Sequence, residues 1–476
     1  MSETFLHGVQ VLEVDSGNRP IRTVRSSVIG LVGSSAPDGT PASVVIGTGN
    51  GSLRFSKTEN GASFNGWTIT TIKPSTNNAA LSVTGNVSTR TITISLATDG
   101  SAVATSTASQ VRTAFNASTI AAQGFACELA TGSNGSSLYA VHAATALTGG
   151  VDDSFPYDVP VLVTSPAGLS DKLEEGSWLL QALEAIYKQA GAVVVVVNTQ
   201  DVIGDAVDLT GVYALKRAQS VVGYVPRILA AQAAGTDPDI MESLKSVADS
   251  CRAIAVVGID VPSATDATAY MTANGNDRVY GLWPYVNGGE DPAPYVAGVL
   301  AKSDNDRGFW WSPSNQEVFG ITSLDNPVDF QLGDSTSLAN VLNEGKVTTF
   351  IRQGGFRVWG NLTGSIDPKW QFLSVRRTAD IINDSILFNH LWAVDRNITR
   401  TYLEDVADGV NNYLADLTNL GAVIGGRCWA DPDLNSPSQI SLGKVYFNFE
   451  FTPPYPAQTV TFRSILTNDY LSELID

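Results

Sequence analysis

Five consecutive valines, at positions 193–197, are the feature that most restricts the fold of this chain. A run of β-branched residues without polar alternation is typical of a strand that is buried on both faces. Residues 177–190, directly before it, place Leu179, Leu183 and Ile186 on one face at helical spacing. A helix that leads into a doubly covered strand predicts an α/β layer architecture.

The same unit recurs twice further along the chain. Residues 239–252 and 264–273 have helical spacing, and apolar strands follow them at residues 253–258 and 278–283. At 476 residues the chain is long enough for several domains. The repetition predicts that one of these domains is an α/β body.

Residues 42–153 differ in composition from the rest of the chain. They are rich in Ser, Thr, Ala and Gly, poor in charge, and contain short β-branched runs such as residues 67–72 and 91–96. Short strands that are broken by Gly and Asn predict a small β-rich domain. One helix is expected within it, over residues 106–116, with Val111 on the buried face.

The C-terminal part combines strands with two helices. The second helix is predicted to begin with a capping box, formed by Thr401 and Glu404. Residues 444–451 alternate apolar and polar side chains, as in a half-buried strand. After the Pro-Pro-Tyr-Pro break at residues 453–456, residues 458–466 are predicted to form a last strand.

A dense mixture of Arg, Trp, Phe and Gly at residues 355–372 raises the question of a ligand site. Such side chains can stack on bases or sugars. Arg357 and Trp359, however, lie two residues apart in a predicted strand and share one face, where a structural pair is equally natural. We interpret the stretch as a strand, a turn and an aromatic brace that leads into a helix.

Charge and cysteine content exclude several classes of function. The net charge of −18 disfavours binding to a phosphate backbone, which requires clustered Lys and Arg. Cys127, Cys251 and Cys428 lie far apart, which argues against disulfides or a thiolate zinc site and favours buried apolar roles in a reducing compartment. No apolar run reaches the roughly 18 to 20 residues that span a bilayer, and no secretory signal is expected. We predict neither a nucleic-acid nor a membrane partner.

Motifs for catalysis or cofactor binding are incomplete. The histidines His7, His142 and His390 are isolated from other metal ligands. Residues 47–51 fail the phosphate-binding patterns, and residues 431–435 begin a calcium loop that lacks its Gly and Glu. The sequence therefore predicts no enzyme, no cofactor and no metal. An α/β enzyme or carbohydrate-binding protein with a β-rich appendage is the alternative.

Six segments follow one another in a family-specific order: residues 8–14, 27–33, 307–315, 347–363, 372–382 and 393–399. In this order they resemble the contractile tail sheath proteins of bacteriophages and phage-tail-like particles, in the branch typified by P2-like phages. Compact members of that family lack a counterpart of residues 42–153. The resemblance therefore implies a sheath protein that carries an inserted domain. Because insertions are tolerated at exposed loops, we expect this domain to lie on the outer surface of the particle.

The resemblance implies a multidomain fold of α/β (α+β) class. Its expected parts are an N-terminal arm (residues 1–20), an α/β body (21–41 and 154–345), the inserted domain (42–153), an α+β C-terminal domain that faces the tail tube (346–456) and a C-terminal arm (457–476). The implied role is structural. Subunits of this kind polymerise around a tail tube in a metastable extended state and contract to drive the tube through the bacterial envelope.

The same resemblance implies the partners and the location. The partners are copies of the chain itself in a helical array of hexameric rings, the tail tube protein, and the baseplate and tail terminator proteins. The location is the tail of the virion, after assembly in the cytoplasm of the bacterial host.

Two sets of residues are implied to make contacts between proteins. The arms are expected to add strands to neighbouring subunits through Val9, Val11, Val14, Val460, Phe462 and Ile465. Ordinary edge strands within the subunit are the alternative. The basic residues Arg376, Arg377, Arg396 and Arg400 are candidate contacts to the tube, with internal salt bridges as the alternative.

Overall fold

The computed structural model describes residues 20–202, 206–207 and 209–474. Its strands, numbered along the chain, are β1 (Val28–Ser34), β2 (Pro41–Ile46), β3 (Leu53–Asn60), β4 (Thr68–Ile72), β5 (Ser82–Asn86), β6 (Thr91–Ser95), β7 (Phe125–Leu129), β8 (His142–Ala146), β9 (Pro160–Val163), β10 (Val193–Thr199), β11 (Asp201–Val202), β12 (Ala206–Val207), β13 (Ile228–Ala231), β14 (Ile254–Gly258), β15 (Val279–Leu282), β16 (Val347–Arg352), β17 (Phe356–Trp359), β18 (Gly425–Ala430) and β19 (Phe447–Thr452). Its α-helices are α1 (Ala108–Asn116), α2 (Trp178–Gln189), α3 (Leu209–Ala214), α4 (Ala218–Val222), α5 (Pro238–Cys251), α6 (Ala264–Asn274), α7 (Pro292–Asp306), α8 (Leu338–Glu344), α9 (Leu373–Asn389), α10 (Arg400–Asn419) and α11 (Pro437–Ser441).

An eight-stranded sheet forms the centre of the body, in the order β17-β16-β15-β14-β13-β1-β10-β9. The six inner strands are parallel to one another, and each edge strand is antiparallel to its neighbour. Parallel strands require crossover connections, which helices supply here. The predicted α/β architecture is confirmed.

The valine run lies in β10 and is covered on both faces, as predicted. Val194 and Val196 belong to the apolar cluster that includes α2 and α7, whereas Val195 and Val197 belong to the cluster on the opposite face, with α5 and α6. All four side chains are fully buried. Alternate residues of a strand point to opposite faces, so an unbroken apolar run is the pattern that two covering layers require.

The inserted domain has a core of its own. It contains a three-stranded sheet (β2-β3-β7) and a four-stranded sheet (β5-β6-β4-β8). The apolar side chains of α1 belong to the same buried cluster as those of both sheets. Thr107 caps α1 in a capping box with Gln110, and Val111 is fully buried. The two ends of the domain meet where Thr40 pairs with Val151. This part of the chain is therefore a β-rich unit with one α-helix and adjacent ends.

The predicted boundary between body and C-terminal domain, at residues 345/346, runs through the body sheet. β16 pairs with β15 in parallel, and β17 pairs with β16, so both strands belong to the body. The separate C-terminal core is built by α9, α10, β18 and β19, and Ile21 and Val24 of the N-terminal segment pack against it. The local sequence indicates short strands here, but it contains no information about which sheet they join.

Helix α10 starts differently from the sequence prediction. Its cap is Thr399, whose side chain accepts a hydrogen bond from the backbone N–H of Tyr402. Glu404 accepts a hydrogen bond from Arg400, 2.8 Å away, instead of forming a capping box with Thr401. The apolar face of α10 is buried and consists of Val406, Val410, Tyr413, Leu414 and Leu417.

Candidate assembly interface

Helix α9 joins the C-terminal domain to the body through buried ion pairs. The carboxylate of Asp380, which is 2% exposed, accepts two hydrogen bonds from Arg278, at 2.7 and 3.1 Å. On its other side it accepts two from Arg376, at 3.2 and 2.5 Å. One carboxylate is therefore shared by a cation of the body and a cation of its own helix, an arrangement that satisfies a buried charge.

Two further pairs continue this junction along α9. Arg377 forms a bidentate pair with Asp304 of α7, at 2.6 and 2.5 Å, and donates to the backbone oxygen of Ser26. One turn beyond Asp380, Asp384 pairs with Arg252, at 2.5 Å, and with Arg227. We call this set of ion pairs the α9 junction. It fixes the helix to three separate parts of the body.

The junction gives Arg376 and Arg377 a role different from the predicted contact to a tube. Arg377 is 3% exposed, and both of its terminal nitrogens are bound within the subunit. Arg376 also pairs with Asp277, at 3.2 Å, and its guanidinium lies 4.3 Å from the centre of the Trp370 ring. For Arg376 and Arg377, the structure therefore shows the alternative that the sequence left open, which is internal salt bridges.

The spacing of residues 376, 380 and 384 gave a signal that the sequence analysis missed. Charges at intervals of four lie on one face of a helix, and a charged face that adjoins an apolar one predicts ionic partners. The sequence does not indicate which residues these partners are. Asp304 and Arg278 are distant from α9 in sequence, and only the folding of the chain brings them into contact with it.

Arg396 and Arg400 remain on the surface. They flank the connection between α9 and α10, where Leu391 and Val394 are 78% and 61% exposed. The guanidinium of Arg396 lies 5.3 Å from the centre of the Trp392 ring. This connection therefore offers basic and apolar groups together to a partner.

Residues 355–372 form the predicted brace. Arg357 donates hydrogen bonds to the backbone oxygens of Gln353 and Asn315, at 3.0 and 2.8 Å. Trp359 packs edge-on against Phe330, with ring centres 4.9 Å apart. Arg357 and Trp359 therefore make structural contacts within the subunit.

The C-terminal arm contrasts with this closed interior. Every residue from 457 to 471 is exposed. Its apolar side chains include Val460, Phe462, Ile465 and Leu466, which are 66%, 91%, 80% and 97% exposed. The predicted strand at residues 458–466 is not a strand within the subunit, because the segment pairs with no other strand of the described chain. Large apolar side chains in this setting mark an interaction site.

The hairpin of β18 and β19 lies at the base of this arm. It is a sheet of two strands, so each strand has an edge without a strand partner among the described residues. Phe449 and Phe451 of β19 pack against the C-terminal core. The predicted N-terminal arm residues Val9, Val11 and Val14 lie outside the described residues.

The described part of the chain shows no metal-binding group of three or more His, Cys, Asp or Glu side chains. Cys127 and Cys428 are buried, and burial raises the pKa of their thiols to about 12 and about 11. Thiols of this kind are poor nucleophiles at neutral pH. Among the helices of residues 20–202, 206–207 and 209–474, none is both long and apolar enough to cross a membrane.

A body fixed by buried ion pairs, together with an arm of exposed apolar residues, defines a structural subunit that assembles with other chains. Comparison with known families agrees. Residues 208–363 match the model of the phage tail sheath protein central domain, and residues 365–467 match that of the phage tail sheath C-terminal domain.

Relatives of known identity extend this match. The chain is 40% identical to a putative prophage major tail sheath protein of Pseudomonas aeruginosa (strain UCBPP-PA14), over 69% of this chain and 91% of the relative. It is 30% identical to the tail sheath protein of Escherichia phage P2, over 68% and 89%. It is 28% identical to the tail sheath protein of Burkholderia phage BcepMu, over 100% and 99%. This last alignment spans the whole chain, including the inserted domain.

The fold has a solved counterpart as well. The sheath complex of an extracellular contractile injection system, PVC, in its contracted state has a TM-score of 0.53 with this chain at 16% identity, over 67% of this chain and 89% of that one. The chain belongs to the phage tail sheath family. It is a structural subunit of a contractile tail sheath and, by family identity, not an enzyme.

Proposed function

We propose that this subunit polymerises helically around a tail tube, is held there in an extended state, and contracts to drive the tube through a bacterial envelope. The observation that carries the proposal is the C-terminal arm, whose apolar side chains have no cover within the subunit. Burial of apolar surface between copies would stabilise the polymer by roughly 25 cal/mol per Å². No nucleotide is required, because the lattice itself stores the energy when it assembles.

Strand addition is the proposed mode of contact. Residues 458–466 form no helix and pair with no strand among the described residues, and the β18–β19 pair of another copy has strand edges without a strand partner. In strand addition the backbone hydrogen bonds connect the chains, and alternate side chains such as Val460 and Phe462 set the register. The N-terminal residues Val9, Val11 and Val14 are proposed to act in the same way.

Truncation tests whether the arm is needed. Deletion of residues 457–476 should leave a soluble subunit that does not form tubes in electron microscopy. Because residues 457–471 are exposed, the melting temperature of the subunit should not change. Tubes of wild-type appearance from this truncated chain would contradict the arm proposal.

Proline substitution tests the mode of contact, because proline lacks the backbone N–H that a strand ladder uses. Thr461 and Ser464 have opposite parity, so at least one of their N–H groups faces the partner strand. Thr461→Pro or Ser464→Pro should therefore reduce tube formation strongly, whereas Thr461→Ala and Ser464→Ala should not. Equal assembly by all four variants would contradict strand addition and would show that the arm binds through side-chain packing instead.

Contact with the tail tube is assigned to the surface connection between α9 and α10. Arg396 and Arg400 are exposed there, in contrast to Arg376 and Arg377 in the α9 junction. The double variant Arg396→Glu/Arg400→Glu should still form sheath polymers but should no longer assemble around purified tube protein. Co-assembly with tube at the wild-type level would refute this assignment.

The remaining partners follow from the position of a sheath in a tail. We propose that hexameric rings of this subunit stack between a baseplate and a terminator protein, in a particle assembled in the cytoplasm of the bacterial host. The inserted domain is proposed to lie on the outer surface, since its adjacent ends let it project from one loop. A density map of the assembled sheath that showed residues 42–153 against the tube would contradict this placement.

A further inference from the structure

Two cavities meet between the end of α9, the body and the first described residues. The larger, of about 530 Å³, is lined by Arg22, Arg25, Tyr224 and Phe388 among others. The smaller, of about 270 Å³, is lined by Lys216, Arg252, Asp384 and Leu387 among others. Arg227 lines both, and we call these two adjoining cavities together the basic groove.

Cations outnumber the available carboxylates in this groove. Its two carboxylates are already paired: Asp384 with Arg227 and Arg252, and Asp249 with Arg278 at 2.9 Å. Arg22, Arg25 and Lys216 form none of the salt bridges found among the described residues, and all three are exposed. A groove with surplus positive charge is unusual on a chain with a net charge of −18.

One buried polar atom in the groove also has no partner. Arg227 is 4% exposed, and its Nε finds no hydrogen-bond acceptor. A buried donor without an acceptor costs free energy, which an incoming acceptor would recover. At the rim, Leu387 and Phe388 are 61% and 43% exposed, so the groove combines uncompensated positive charge with apolar surface.

We infer that the basic groove binds the last residues, 466–476, of a second copy of this chain. This segment contains Asp469, Glu473 and Asp476 and no Lys or Arg, so its charge is opposite to that of the groove. It also brings Leu466 and Tyr470, which are 97% and 70% exposed within their own subunit. Complementarity of both charge and apolar surface favours this occupant. The inference rests on the proposed self-assembly and adds a second contact beyond the strand at residues 458–466.

Reciprocal charge reversal in the full chain tests this inference. Arg22→Glu/Arg25→Glu in the groove should raise the critical concentration for polymerisation about tenfold, and Glu473→Lys/Asp476→Lys in the tail should do the same. The four changes together should return it to within about threefold of the wild type, because the charges are again opposite. The matched control, Lys73→Glu/Arg90→Glu in the inserted domain, has the same change in net charge and should have little effect.

Several results would overturn the inference. One is an unchanged critical concentration in the groove variant, and another is a combined variant in which the two losses simply add. Melting temperatures check that the variants fold, which is expected because the groove side chains changed are exposed.

A second truncation separates this inference from the proposed function. Deletion of residues 469–476 removes the acidic segment but keeps the proposed strand, and it should raise the critical concentration at least tenfold. Deletion of residues 457–476 should abolish polymerisation. If the shorter deletion polymerises like the wild type while the longer one does not, the groove inference fails and the strand proposal stands. If both polymerise, the arm proposal itself fails.

Discussion

Helix α9 and the C-terminal arm differ in which kind of side chain they bury and which they expose. In α9, charged groups are buried, and each is paired with a partner in the body, as Asp380 is with Arg278 and Arg377 is with Asp304. In the arm, apolar groups such as Phe462 and Leu466 are exposed to solvent. Both arrangements are costly in an isolated subunit, but only the first is compensated within it.

The difference distinguishes contacts that are completed within the subunit from contacts that, on our proposal, form only on assembly. Paired charges in a buried site tolerate little displacement, because ionic hydrogen bonds depend on distance and direction. The α9 junction therefore holds body and C-terminal domain in one arrangement. The apolar side chains of the arm are exposed within the subunit, and on our proposal they are buried against another chain. On our proposal, this subunit moves as one rigid unit while its arm stays bound to a neighbouring subunit.

Breaking the junction should have the largest effect on the stability of the subunit. Asp380→Ala leaves Arg278 and Arg376 beside each other without their shared carboxylate. Removal of one partner from a buried ion pair destabilises proteins by about 3–5 kcal/mol. We expect the free energy of unfolding, measured with urea, to fall by that amount.

The exposed pair Arg400–Glu404 provides the control for this variant. Its side chains are 92% and 56% exposed, so Glu404→Ala should leave the unfolding curve unchanged. Similar losses in both variants would mean that burial does not distinguish the junction from a surface pair.

Asp291 extends the comparison, because this half-buried carboxylate forms no salt bridge among the described residues, whereas Asp380 is paired with two cations. It caps α7 by accepting a hydrogen bond from the N–H of Ala293 at 2.8 Å, and burial raises the pKa of its carboxyl group to about 6. The pKa in the folded chain is above the unfolded value of about 3.8, so the stabilisation is complete below pH 3.8 and is lost as the pH rises through 6.

Asp291→Asn keeps the cap but removes this titration. Relative to the wild type, the variant should gain about 2–3 kcal/mol in free energy of unfolding between pH 4 and pH 7. Urea unfolding of both proteins at the two pH values measures the gain. A difference between the proteins that does not change with pH would show that the carboxyl group does not titrate in this range.

Local patterns in the sequence predicted much of the interior. The valine run at residues 193–197 gave a doubly covered strand, and Val111 marked the buried face of the helix in the inserted domain. Such features depend on periodicity within one element. The sheet to which β16 and β17 belong, and the partners of Asp380, depend on residues that are distant in sequence, and these were not predicted.

The arm shows a different limit of sequence analysis. Alternation at residues 458–466 predicts a strand, yet the structure of one subunit contains none there. A strand needs a partner for its backbone hydrogen bonds, and on our proposal that partner belongs to another copy. On that proposal, the pattern at residues 458–466 is that of a strand which forms only between two copies of the chain.

The smallest effect on stability is expected from the arm itself. Phe462→Ser and Leu466→Ser change side chains that are 91% and 97% exposed, so the free energy of unfolding of the subunit should stay within about 0.5 kcal/mol of the wild type. Polymerisation should nevertheless weaken, because the burial of these side chains between copies would be lost. Sedimentation of tubes measures the second effect and urea unfolding the first. A variant that lost stability as a monomer would show that the arm packs on its own subunit, and the contrast with α9 would then disappear.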